Sequence, residues 1–333
     1  TGGAGFIGCN LADALLRRNE RVVVFDNLSR RGSEENLRWL LRRHPRRLAV
    51  EIGDVRDAAH VAEVVARASI VFHLAAQVAV TSSVEDPAHD FAVNVQGTLH
   101  VLEAARQVRE PPPVLFTSTN KVYGELAGVP WALDGTRYLF RDGRPGIAED
   151  QPLDFHSPYG CSKGAADQYV RDYARIYGLP TCVFRMSCIY GPHQFGNEDQ
   201  GWVAHFAISA LAGRPVTLYG DGRQVRDILY VDDLVEALLL GVAAARRAPG
   251  RIYNVGGGAR NAVSLVELLD LLEQIAGARI ERRLAPWRPG DQRIYVSDIR
   301  KIGRELGWRP RTPKVEGVRR LVAWIRDNAG AVS

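Results

Sequence analysis

The sequence predicts an α/β fold: a doubly wound parallel sheet with a smaller second domain at its C-terminal end. Three observations predict it. Short apolar runs recur through the first half and alternate with helical patterns. Those runs lack the strict apolar/polar alternation of a half-solvated sheet, as expected for strands covered on both faces. At 333 residues the chain also exceeds one ordinary core, so one large or two modest domains are expected.

Taken in order, the chain opens on TGGAGFIG (1–8), the turn that normally follows a strand. The strand itself is absent, and we expect a preceding segment to supply it, because a doubly wound sheet without its central strand should not be stable. FIGCNLADALLRR (6–18) continues as a helix, and RVVVFD (21–26) is the next strand. RWLLRRHPRR (38–47) carries apolar residues at helical spacing and reads as a solvated helix face. LAVEIGD (48–54), IVFHLA (70–75) and VLFTS (114–118) are further strands, with a helix over DFAVNVQGTLHVLEAARQV (90–108). TCVFRM (181–186) reads as a later strand of the same sheet. Alternation of this kind makes the sheet parallel. Beyond about residue 190 the pattern loosens into turns such as GRP (213–215) and YGDG (219–222). We therefore expect a first domain over 1–190 and a second over 191–333, with some elements of the latter returning to the first.

Composition narrows the class. Apolar content of 46% and charged content of 24% suit a water-soluble globular chain, and no run approaches the ~20 apolar residues of a membrane span. Cys9, Cys161, Cys182 and Cys188 show no metal or redox spacing, so we expect no metal and a reduced, cytoplasmic protein. The net charge of +5 comes from an arginine bias, with lysine only at 121, 163, 301 and 314. The densest basic stretch carries a single aromatic residue, Trp39, among apolar residues at helical spacing, and no series of stacking aromatics interleaves with its arginines, which argues against nucleic acid as a partner.

Gly2, Gly5 and Gly8 are spaced GxxGxxG ahead of a helix. Glycines there let the backbone approach a pyrophosphate, and a helix N-terminus offers free N–H groups and a favourable dipole. Asp26 ends the following strand, 18 residues after Gly8, where a carboxylate can accept both hydroxyls of an adenosine ribose. The reading is a Rossmann-type domain that binds NAD. Asp26 would repel a 2′-phosphate, although Arg30 and Arg31 leave NADP open. Asp54 and Val55 end the third strand; they either border the adenine or serve as a helix cap and a core residue.

SPYGCSKGAADQYV (157–170) places Tyr159 and Lys163 four apart, hence on one face of a helix. A nearby ammonium stabilises phenolate and should lower the tyrosine pKa toward neutrality. With a hydroxyl at the strand end, Thr119, these residues make an alcohol-oxidising group. Tyr159 removes the O–H proton, Thr119 hydrogen-bonds the same oxygen, Lys163 tunes Tyr159 and holds the nicotinamide ribose, and NAD takes the hydride.

With TGGAGFIG, HLAAQ (73–77), VNVQGT (93–98), VYG (122–124), PYGCSKGAAD (158–167), IYGP (189–192) and VRDILYVDD (225–233), the chain resembles the extended short-chain dehydrogenase/reductases of the nucleotide-sugar epimerase and dehydratase group. The resemblance runs from residue 1 to about 310. It implies cofactor contacts from Gly2, Gly5, Phe6 and Ile7 in the first motif, from Asp26, Asn27, Asp54 and Val55 at two strand ends, and from Leu74, Ala75 and Gln77 in HLAAQ. It implies a sugar nucleotide between two domains, with Arg226 and Arg288 on its diphosphate, Asp291 on its ribose, Tyr219 beside the base, and Trp202 and Val203 lining the same pocket. For either arginine a surface ion pair is the alternative. It also implies a homodimer or homotetramer.

The two residues after Thr119 bear on the reaction. Dehydratases of this group resemble one another in carrying Asp-Glu there, an acid and a base for elimination. This chain has Asn120 and Lys121, with no carboxylate. TNKVYG (119–124), DNLSRRGSEENLRWL (26–40) and FRMSCIYGPHQFGNEDQGWVAHF (184–206) resemble the C2-epimerases of the CDP-tyvelose (CDP-paratose) type. That resemblance implies that Asn120 and Lys121 orient the sugar and that Ser187 and Gln194 are polar pocket residues, unless the latter two only build their loop. A UDP-hexose 4-epimerase uses the same catalytic group and is the alternative enzyme. A catalytically inactive NAD-binding sensor is the alternative of another class, and it would ordinarily have lost Tyr159 or Lys163.

Overall fold

The computed structural model describes residues 1–288 and 291–332. It forms two compact units: Thr1–Val122, Ser157–Arg185 and Val235–Tyr253 in one, and Tyr123–His156, Met186–Leu234 and Asn254–Ser333 in the other. The chain thus passes between the units several times. Residues 123–156 belong to the second unit, and Val235–Tyr253 returns to the first.

In the first unit, β1 (Val22–Asp26) pairs parallel with β2 (Leu48–Ile52), Asp26 opposite Ile52. β3 (Val71–His73) pairs parallel with β4 (Val114–Thr119), and that sheet continues through Thr181–Met186 to Arg251–Val255. Thr1 and Gly2 lie between the two sets. The Gly2 N–H donates to Phe25 O (2.9 Å), the Thr1 backbone nitrogen to Phe72 O (2.9 Å), and the Leu74 N–H to Thr1 O (3.2 Å). This is the strand order of a Rossmann-type sheet.

Every residue of β4 is buried. One apolar cluster packs Val114 and Phe116 against Val101, Leu102, Ala166 and Val170 of the neighbouring helices. Another packs Val24 against Cys9, Ala12 and Leu16 of α1 (Phe6–Arg17) and against Leu37 and Leu40. β2 corrects the expectation of full burial, since Ile52 is 58% exposed. β2 is an edge strand of this order, and an edge carries solvent-facing residues that an interior strand cannot. The helix expected over 90–108 is also not continuous: it runs Pro87–Phe91, a π-helical turn Ala92–Gln96, then Gly97–Gln107.

In the second unit, the buried strand Val225–Tyr230 pairs antiparallel with Ala262–Ser264 and parallel with both Ile294–Tyr295 and Cys188–Tyr190. Helices Trp202–Leu211, Leu265–Ala276 and Lys314–Asp327 supply its core through Phe206, Leu268, Leu272, Leu321 and Ile325. These strands are two to six residues long, which is why periodicity fades beyond residue 190. A hairpin, Trp131–Asp134 with Arg137–Phe140, is held by an Arg137–Glu267 ion pair and by the Tyr138 hydroxyl donating to Asp221 (2.7 Å). Among the described residues no helix is long and apolar enough to cross a membrane.

Candidate cofactor and catalytic site

The glycine turn is a cradle for an anion. Gly2 sits at φ +66°, and a Cβ there would meet Ala75 N at 2.6 Å. A Cβ at Gly8 would meet Gly2 O at 2.1 Å, so this position admits only glycine without movement of the backbone. Gly5 caps α1 with no side-chain hydrogen bond, and the first turn of α1, which includes Phe6 and Ile7, has no acidic residue. The N–H groups at that end remain for a ligand phosphate, and the helix dipole favours one. This donor set suits the pyrophosphate of a dinucleotide.

Asp26 buttresses the same turn. Its Oδ2 accepts from the Ala4 N–H and its Oδ1 from the Leu28 N–H, both at 2.9 Å. Each carboxylate oxygen has a second lone pair, so the ribose role remains open to it. Asn27 donates to Asp54 Oδ2 (2.9 Å). Asp54 is not a helix cap: Asp57 caps Ala58–Val65, while Arg56 grips both Asp54 oxygens at 2.8–2.9 Å. That hydrogen-bonded guanidinium holds the Asp54 carboxyl far below the usual carboxylate range. Val55 is core, packed against Gly97. The Leu74 N–H donates to Thr1 O and the Ala75 N–H to Thr1 Oγ1 (3.3 Å). Gln77 is buried; its N–H donates to Asn94 Oδ1 (2.9 Å), and its Oε1 has no partner among the described residues.

Thr119, Tyr159 and Lys163 lie together, all buried. Thr119 ends β4, and the chain turns at once into a single 3₁₀ turn, Asn120–Tyr123, where the Lys121 N–H donates to Thr119 Oγ1 (3.3 Å). Tyr159 and Lys163 share a face of the helix Ser157–Tyr177. The Tyr159 hydroxyl is hydrogen-bonded to Thr119. The Lys163 ammonium stands over the Phe116 ring, 4.2 Å from its centroid.

The electrostatics differ from the expectation that Lys163 lowers Tyr159. Burial pushes the Tyr159 hydroxyl up to about 12; Asp90 adds to that, and only the Thr119 hydrogen bond and the Arg30 charge oppose it. Burial also lowers Lys163 to about 7, against the pull of Asp167 and Asp90. The desolvation of each group outweighs its partners here. Tyr159 therefore stands as a proton donor in this state, and abstraction needs added positive charge beside it.

Several participants lie outside the residues the sequence singled out. Asn94, in the π-helical turn, donates to Gln77 O (3.1 Å), Asp90 Oδ1 (3.2 Å) and Ser162 Oγ (3.0 Å). Ser83 Oγ accepts from the Tyr159 N–H (3.1 Å) and fixes the start of the helix Ser157–Tyr177. VNVQGT signals Asn94 by motif only, and nothing local in the sequence marks Asp90 or Ser83; Arg30, noted above for the cofactor, instead places its charge by Tyr159.

The second unit holds the remaining expected contacts. Arg226 is buried and pairs with Asp291 at 2.7 Å, so the expected diphosphate and ribose groups meet each other. Arg288 stacks 3.8 Å from the centroid of the Tyr219 ring and lies 3.5 Å from Asp199, while the Tyr219 hydroxyl donates to Glu198 (2.7 Å). Asp291 also lines a recess of about 250 Å³ with Glu125, Trp131 and Arg293. Gln194 Nε2 donates to Ile189 O (3.2 Å), and its buried Oε1 has no partner among the described residues. Trp202 begins its helix, edge-on to Phe206. Two expectations change. Val203 is core, which leaves its side chain no free face here. The Ser187 hydroxyl donates to Asp227, 2.5 Å from its Oδ1, and so builds structure.

The chain is similar to known proteins. The family model described as "NAD dependent epimerase/dehydratase family" matches residues 1–256. The chain is 42% identical to the CDP-paratose 2-epimerase of Salmonella typhi, over 97% of each chain. Among solved structures it is similar to Thermus thermophilus UDP-glucose 4-epimerase in complex with NAD, at 37% identity and TM-score 0.81 over 98% of this chain and 97% of that one. It is also similar to the dTDP-glucose 4,6-dehydratase DesIV of Streptomyces venezuelae with NAD bound, at 33% identity and TM-score 0.85 over 99% of this chain and 96% of that one.

Proposed function

The chain belongs to the NAD dependent epimerase/dehydratase family, and from that premise we propose that it epimerises a nucleotide-linked hexose, at C2 of a CDP-sugar of the CDP-paratose type. One observation carries this reading. The buried Thr119–Tyr159–Lys163 group is complete, while the turn that follows Thr119 presents Asn120 and Lys121 in place of an acid and a base. Positioned acids and bases each contribute about 10²–10⁴-fold, so elimination from this turn is slow. Oxidation at one carbon and re-reduction from the other face remains.

Gly2, Gly5, Gly8 and the first turn of α1 would hold the pyrophosphate of NAD, and Asp26 its adenosine ribose. NAD supplies a hydride acceptor and donor. Tyr159 takes the proton of the sugar hydroxyl, with Thr119 hydrogen-bonded to the same oxygen, and returns it when the keto oxygen is reduced. The donor state of Tyr159 seen here suits that return step. The oxidation step calls for a charged Lys163 and a cationic nicotinamide to bring Tyr159 down. In the second unit Arg226 and Arg288 would take the diphosphate, arginine's planar fork being matched to paired oxygens. The unpartnered Gln194 Oε1 is an acceptor for a sugar or base hydroxyl or amine.

Incubation with a panel of CDP-, UDP- and GDP-hexoses, followed by NMR, should locate inversion at C2 of a CDP-sugar. Inversion at C4 of a UDP-hexose instead selects the 4-epimerase reading. Turnover of none of them, with NAD bound, contradicts both.

A further inference from the structure

The reaction as derived uses Thr119, Tyr159 and Lys163 and leaves one buried carboxylate beside them without a role. Asp90 is 1% exposed. Its Oδ1 accepts from Asn94 Nδ2 (3.2 Å), and its Oδ2 has no hydrogen-bond partner among the described residues. A buried acceptor in that condition is destabilising unless something compensates it, so a compensating interaction is expected of it. Asn94 Nδ2 also donates to Ser162 Oγ (3.0 Å), which ties Asp90 to the helix of Tyr159 and Lys163 at the residue next to Lys163. Ser162 hydrogen-bonds Asp90, the charges acting on it are those of Lys163 and His89, and its own charge acts on Tyr159.

Lys163 needs such a neighbour. It is buried against the Phe116 ring. Of the two carboxylates acting on it, Asp167 is already gripped by Arg185 through two 2.9 Å hydrogen bonds. His73, also facing Lys163, is held neutral by burial and adds no charge. That leaves Asp90 as the acid near Lys163 whose charge no arginine offsets among the described residues.

We propose that Asp90 is a positioning residue that keeps the Lys163 ammonium charged in its buried seat, and so sets the pH range in which the Tyr159–Lys163 pair works. The proposal rests on the hydride-shuttle reading above for its catalytic meaning. The electrostatics give its sign. The Asp90 charge raises Lys163 and raises Tyr159. Removing it lets both groups lose their protons at lower pH. Loss of the Lys163 proton ends activity on the alkaline side, and ionisation of Tyr159 begins it on the acid side. Both limbs should therefore slide toward acid together. A residue that served packing alone would lower the rate at every pH and move neither limb.

The test is Asp90→Asn in the full chain with its NAD, read in two ways. The chain has lysine at only four positions, so side-chain ¹⁵N-lysine NMR resolves Lys163, assigned with Lys163→Arg. Its titration midpoint should fall by about one pH unit, the low end of what a neighbouring opposite charge contributes. The pH–rate profile on the turned-over nucleotide sugar should shift the same way. Asp90→Ser removes the charge and leaves room for a water, and it gives a second reading if Asp90→Asn is insoluble. An unmoved or alkaline-shifted Lys163 midpoint overturns the proposal, even if turnover falls. If no nucleotide sugar turns over, the epimerase reading fails, while the lysine titration still decides the role of Asp90.

Discussion

Tyr159→Phe should abolish turnover while the protein keeps its NAD. The substitution removes one hydroxyl from a buried ring and leaves the glycine turn, Asp26 and the first turn of α1 untouched. Loss of a general acid–base group costs about 10²–10⁴-fold. The lost hydrogen bond to Thr119 is a smaller effect, since one neutral hydrogen bond contributes about 0.5–1.5 kcal/mol net. Measured kcat on the wild-type substrate, beside the NAD released on denaturation, separates the two roles. Retention of more than about a tenth of the wild-type rate would remove Tyr159 from the chemistry.

Arg185→Met should be among the most destabilising single changes in the chain. Arg185 and Asp167 are a bidentate pair with side chains 2% and 0% exposed. Breaking one side of such a pair leaves a buried charge without compensation, at a cost of about 3–5 kcal/mol. Replacing both partners by apolar residues of similar volume is often close to neutral, so Arg185→Met with Asp167→Leu should recover most of the loss. Chemical denaturation of the two variants measures this. Equal stability of Arg185→Met and wild type would show that the pair contributes little. Asp167 lies one turn beyond Lys163, so the single variant should also disturb that lysine.

What the sequence made legible follows from how each feature is written in it. A close backbone approach can only be written as glycine, so the turn at Gly2, Gly5 and Gly8 stands out, and the structure gives the reason in a Cβ that would lie 2.1 Å from Gly2 O. A four-residue spacing on a helix is equally plain for Tyr159 and Lys163. Other features are written in no local pattern. Whether a strand lies inside a sheet or at its edge depends on strand order, and so the exposure of Ile52 is invisible in LAVEIGD. A strand-end hydroxyl looks the same whether it meets a ligand or a buried carboxylate, and Ser187 meets Asp227. The Tyr159–Lys163 spacing suggests an ammonium that lowers a phenol, but the balance is set by burial and by Asp90, 69 residues earlier than Tyr159 in the sequence. The π-helical turn that aims Asn94 at Ser162 and Asp90 interrupts a run whose periodicity reads as one helix.

The route of the hydrogen at the inverted carbon tests the central claim most directly. A carbinol C–H has no adjacent carbonyl to acidify it, so direct deprotonation would need strong stabilisation of a carbanion. Among the described residues no group of His, Cys, Asp and Glu could hold a metal ion. A hydride that passes to NAD and back never meets solvent. With CDP-paratose in D₂O, C2 of the product should be inverted and carry no deuterium. Deuterium at C2 would contradict the hydride route.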